Sequence, residues 1–178
     1  MRGDGTKFGV TQPSRGFSLI ELLIVVAILL IIAAIAIPNM IRAKIAANES
    51  SAASSVRKIA TAEYAYNAAY PTQGYAPDLA SLGSTSAPCT PSSTAACILD
   101  VTVSTGIKSG YQFAAAGFSP TGGPNSSFVA SSAPMTFNST GVRLFCIVTD
   151  GVLRITPGAS GSTPAGDVPT CTAYTIAQ

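Results

Sequence analysis

The 178-residue chain contains no histidine and no tryptophan, and only 10% of its residues are charged. Without histidine, neither a Ser-His-Asp triad nor a Cys-His pair can be assembled within the chain. Its four cysteines, Cys89, Cys97, Cys146 and Cys171, include no C-x-x-C pair, which argues against a tetrathiolate zinc site. Gly122-Gly123 and Gly158–Gly161 lack a phosphate-loop pattern and read as turns. A formal charge of +2 is too small to support nucleic-acid binding by bulk charge. Lys108, Arg143 and Arg154 are too few to specify a groove reader. Residues 1–16 hold Arg2, Lys7 and Arg15 against Asp4, so the side chains of the remaining residues sum to zero. Such neutrality suits dense packing against copies of the same chain, because self-repulsion is low.

What the chain has instead is a long apolar run. From Phe17 to Ile37 every residue is apolar or small except Ser18 and Glu21. Roughly 20 apolar residues suffice to cross a bilayer. A carboxylate inside such a run costs about 2.5 kcal/mol or more at mid-membrane and less near the interface, so Glu21 calls for a compensating partner and marks a functional position. The basic residues ahead of the run keep Met1–Gly16 on the cytoplasmic side and place the bulk of the chain on the far side. The run is too long for an ordinary secretory signal core and contains Glu21, although Ala34-Ile35-Ala36 has the small residues of a cleavage site.

The stretch Arg15-Gly16-Phe17-Ser18-Leu19-Ile20-Glu21-Leu22-Leu23-Ile24-Val25-Val26-Ala27-Ile28 resembles the processing and assembly segment of type IV pilins and of the related type II secretion pseudopilins. The likeness is close from Arg15 to about Ile37 and looser through Pro38 to about Leu82. It implies cleavage after Gly16 by a prepilin peptidase, N-methylation of the new N-terminal Phe17, and a role for Glu21 in filament assembly. Glu21 would then meet the Phe17 amine, either of a neighbouring subunit or of its own helix. The implied protein is a structural subunit with no catalytic site and no cofactor. It waits in the inner membrane and is moved by an assembly platform and motor complex into an extracellular homopolymer. The alternative within the resemblance is a pseudopilin of a short periplasmic filament that drives protein export. Major pseudopilins often bind calcium near the C-terminus, where this chain has Asp150 and Asp167. A hairpin residue and a loop residue account for these two, and no metal site is expected.

The fold class expected is α+β: one long N-terminal helix packed on a small antiparallel sheet of three to four strands, as in type IV pilins. The segments are a leader (1–16), the apolar half of the helix (17–38), its amphipathic half (39–70), a loop region (71–108) and a sheet with a C-terminal loop (109–178). Pro38 removes a backbone hydrogen bond and is expected to kink or locally melt the helix near Ala34–Pro38. Beyond it, Ile45, Ala52, Val56, Ile59 and Tyr66 recur at helical spacing and form a stripe for packing on a sheet. Arg42, Lys44, Asn48, Glu49, Arg57 and Lys58 read as polar positions. The helix should stop near Ala69-Tyr70-Pro71. Expected strands are Gly110–Phe118, Ser127–Met135, Val142–Thr149 and Val152–Thr156, with Asp150-Gly151 as a hairpin signal. Cys171–Ile176 adds a short closing strand. Four cysteines allow three pairings. The local pairs Cys89–Cys97 and Cys146–Cys171 are favoured because they leave the helix free and lie on the exported side, where disulfides persist. Tyr64, Tyr66, Tyr70, Tyr75 and Tyr111 are read as packing between helix, loop and sheet rather than as an electron path.

Overall fold

The structure is a computed structural model that describes residues 16–84 and 88–177. The leader reading, with Arg2, Lys7 and Arg15, lies outside the described residues apart from Gly16. The chain divides after Asn39 into two compact units.

The first unit is the N-terminal part of helix α1, which spans Leu19–Ala69. Its first turn closes on Ser18, whose carbonyl accepts the Glu21 and Leu22 amides at 3.1 and 3.2 Å. The helix therefore starts two residues later than Phe17. The backbone is helical through Ala34–Pro38. Proline has no N–H to give the carbonyl four residues back. Next to that gap, the Asn39 side-chain amide donates to the Ile35 carbonyl at 3.2 Å.

The second unit, from Met40 onward, is the α+β domain. The remainder of α1 ends at Ala69, where Pro71 follows within two residues. The connection to the sheet carries two one-turn helices, α2 (Leu79–Leu82) and α3 (Val101–Ser104), capped by Asp78 and Asp100. The region read as loop thus has short helical turns wherever an aspartate satisfies a free amide. Six antiparallel strands follow in meander order: β1 (Ile107–Lys108), β2 (Tyr111–Phe118), β3 (Ser127–Pro134), β4 (Arg143–Val148), β5 (Arg154–Pro157) and β6 (Thr175–Ile176). The expected count of three to four is corrected to six. Strands β1 and β6 are two-residue edge pairs, too short to show any alternation in sequence. Cys171–Ile176 is not one strand. Asp167 caps a helix α4 (Val168–Thr172) that contains Cys171, and only Thr175–Ile176 joins the sheet. The Asp150-Gly151 hairpin is present, with Gly151 at φ +73° and its amide bonded to the Val148 carbonyl at 2.9 Å. Strand β5 begins at Arg154, two residues later than expected, because Asp150 also draws in the Val152 amide and widens the turn.

Strand alternation splits the core in two. One sheet face, with Phe113, Ala115, Phe128, Ala130, Phe145 and Ile147, meets Ala52, Val56, Ile59 and Tyr66 of α1. Of the expected stripe, only Ile45 stays partly exposed. The other face, with Val129, Cys146 and Val148, is covered by Ala165, Val168 and Cys171. Central β3 is buried on both faces. The Cys146–Cys171 disulfide ties α4 to β4 inside the second cluster, and Cys89–Cys97 closes a small loop. Tyr66 holds that loop to α1 by donating its hydroxyl to the Ser93 carbonyl at 2.6 Å.

Candidate assembly site

Gly16 and Phe17 lie in non-helical backbone just ahead of α1, and both are exposed. A Cβ on Gly16 would meet nothing within 4 Å. Among the described residues no steric feature demands glycine there. Glu21 occupies the first turn of α1, where the free amides of a helix start favour a negative charge. Among the described residues no cation stands within ion-pair distance of it.

Fifteen large apolar side chains between Phe17 and Ile37 are exposed, Phe17 at 79% and Leu19 at 77%. They surround the helix on every side. One apolar stripe would serve to pack against a single sheet. A segment apolar all round needs lipid or several partner surfaces, and exposed patches of this extent mark interaction or membrane sites. By length and composition the helix is able to cross a membrane.

The second unit contains two buried carboxylates that sequence reasoning missed as special. Glu49 is 4% exposed. Its Oε1 accepts the Val142 and Arg143 amides at 2.9 and 3.1 Å, and its Oε2 accepts Arg143 Nε at 2.7 Å. Glu63 is fully buried. Its Oε2 accepts the Ala76 amide at 2.8 Å, whereas among the described residues Oε1 has no partner. Burial pushes the Glu63 carboxyl up to about 8, against the opposing pull of the Ala76 hydrogen bond, and Asp78 adds to the rise. Both residues fasten α1 to segments distant in sequence. By residue type a glutamate in an amphipathic helix reads as a solvated position. The signal available was register, since Glu49 and Glu63 each lie four residues beyond an isoleucine of the expected stripe, Ile45 and Ile59.

Asp150 and Asp167 each have a protein partner of their own. Asp150 pairs with Arg154, and Asp167 accepts the Thr170 amide at 2.7 Å as the α4 cap. Among the described residues no group of three metal-binding side chains converges. The tyrosines pack as read. Tyr64 and Tyr75 meet Phe128 at centroid distances of 5.5 and 4.9 Å, and Tyr66 meets Tyr70 at 4.8 Å. Lys108, Arg143 and Arg154 are spread over Ser55, Glu49 and Asp150.

Residues 12–37 match the family described as the prokaryotic N-terminal methylation motif. The chain is also 47% identical over 53 residues to the type IV major pilin protein PilA of Myxococcus xanthus (strain DK1622). That likeness covers 30% of this chain and 24% of the relative, so the chain spans about a quarter of the length of the curated relative it matches. No solved structure matches. The chain thus carries a prepilin-type N-terminal methylation motif, and over its matched segment it is similar to the type IV pilins.

Proposed function

We propose that this chain is the structural subunit of a type IV pilus. The observation that carries the reading is α1 itself: a helix start with Glu21 in its first turn, apolar all round through Ile37, continuous with a folded α+β domain. A prepilin peptidase cleaves after Gly16, and Phe17 becomes the methylated N-terminus. An amine there has an ordinary pKa of about 8, so it stays mostly cationic at neutral pH, and methylation retains the charge. In an apolar surrounding its attraction to Glu21 of a neighbouring copy is weakly screened. The pair offsets the desolvation of both groups and favours one axial register among the copies.

Before assembly the helix resides in the inner membrane. A platform and motor complex transfers the subunit into the filament, where Pro38 marks the place at which α1 kinks or loosens. The role is structural rather than catalytic. The test is to shear cells, pellet the released filaments and determine the N-terminus by mass spectrometry. N-methylated Phe17 as the main species in long surface filaments is the expected result. Processed protein confined to the cell envelope would replace this reading with the pseudopilin, and an uncleaved chain would overturn both.

A further inference from the structure

On the α+β domain Arg57 and Lys58 share one groove with Asp100, and Asp167 lines another. Glu49 and Asp150 are paired with Arg143 and Arg154, and Glu63 is buried. Among the described residues of the domain, the cations outside these pairs are Arg42, Lys44, Arg57 and Lys58 on α1, with Lys108 on β1. Arg57 and Lys58 are exposed and line a groove of about 510 Å³ whose other wall is apolar Ile98, Leu99 and Val103. Asp100 shares the groove, leaving it one positive charge in excess. On the opposite face of the sheet, exposed Asp167 lines a second groove of about 320 Å³, walled by Phe118, Pro120, Val168 and Pro169, with no cation among its lining residues.

We propose that the Arg57/Lys58 face of one copy docks on the Asp167 face of the next, so that the occupant of each groove is a second copy of this chain. The inference rests on the filament reading above and names the surfaces through which the domains meet. Three features support it. The two grooves are opposite in charge, while the side chains after Gly16 sum to zero. Long arginine and lysine stems can lie along apolar walls such as Phe118 and Pro120 while their charged ends reach a carboxylate. The two patches are different surfaces on opposite faces, so the contact is heterologous. Such a contact repeats along an open polymer, whereas a self-complementary patch closes as a dimer.

The test is a charge exchange in the full chain, read as the yield of sheared filament. The variant with Arg57→Glu and Lys58→Glu, and separately Asp167→Lys, should each lower yield by about tenfold, because like charges juxtaposed across an interface are strongly unfavourable. Combining them should restore yield to within about twofold, since the opposite charges face each other again. Asp167 also caps α4, so Asp167→Asn serves as a variant that keeps a capping oxygen and loses the charge. Its filaments should come apart at lower salt than the unaltered ones. Unchanged yield in the single-face reversals, or a loss that the exchange fails to restore, would overturn the docking. Co-expressed chains carrying Lys58→Cys and Asp167→Cys should form a cross-linked dimer on oxidation. This readout is independent of surface filaments: cross-linking in an envelope that sheds no filament would retain the docking and refute the pilus, and no cross-link in abundant filaments would do the reverse.

Discussion

Glu49 on α1 and Arg143 at the start of β4, 94 residues apart, are joined by two hydrogen bonds from the arginine to one carboxylate, with the Val142 amide as a third donor. The carboxylate thereby fixes where the helix meets the fourth strand. Glu49→Ala would strand two backbone amides and remove the partner of a guanidinium. We expect a loss of about 2–4 kcal/mol in urea unfolding, as for a buried hydrogen-bonded charge deprived of its partner. Arg143→Ala should cost less, because its side chain is 48% exposed and Glu49 would keep both amides. Equal losses in the two variants would show that the amide contacts contribute nothing.

Glu63 gives the domain a pH dependence opposite to that of most carboxylates. Its folded-state pKa lies near 8, against an ordinary value of 4.5. Between those values the folded chain keeps a proton that the unfolded chain releases. Stability therefore falls as pH rises from about 4.5 to about 8, by an amount on the order of 3–5 kcal/mol. Glu63→Gln should flatten this slope and raise the melting temperature at pH 8, with little change at pH 5. A slope that persists in Glu63→Gln would assign it to another group.

The N-terminal segment was legible because its information is local. The Gly16-Phe17 step, Glu21 and the apolar run lie within one stretch, and membrane or filament burial leaves no alternation to decode. The α1 stripe and the Asp150-Gly151 turn were legible for the same reason. Strands β1 and β6 were not, since each is two residues long and depends on a neighbour for its pairing. Helix α4 was missed: it starts at Val168, ahead of the Cys171–Ile176 segment read as strand, and overlaps it only at Cys171 and Thr172, because its start depends on the Asp167 cap rather than on propensity. Glu49 and Glu63 resemble solvated helix positions until the tertiary fold brings Val142, Arg143 and Ala76 to them.

The two disulfides should differ in their contribution to stability. Cys146–Cys171 spans 25 residues and Cys89–Cys97 spans 8. Loop-closure entropy gives roughly 3.5 kcal/mol for the first and roughly 2.5 kcal/mol for the second. The gap should widen on replacement with serine, because Cys146 and Cys171 lie at 0% exposure within the second core cluster. Calorimetry on the paired Cys→Ser variants checks the order. A larger drop in melting temperature for Cys89→Ser with Cys97→Ser would mean that the small loop does more than close on itself.

Glu21 separates membrane residence from assembly. Removing its charge makes the apolar segment a better membrane span, since a carboxylate in this setting costs about 2.5 kcal/mol at mid-membrane and less near the interface. Glu21→Gln should therefore leave the chain in the membrane at unaltered abundance, with Phe17 still exposed by cleavage. If the carboxylate pairs with the amine of a neighbouring copy, the same substitution should reduce sheared filament by at least about tenfold, because a pair in a weakly screened setting is lost at every contact along the polymer. Quantifying Phe17-terminated chain in membrane and filament fractions distinguishes the cases. A fall in both fractions would indicate failed insertion or processing. Normal filament with Glu21→Gln would confine Glu21 to its own helix and leave axial register to apolar packing alone.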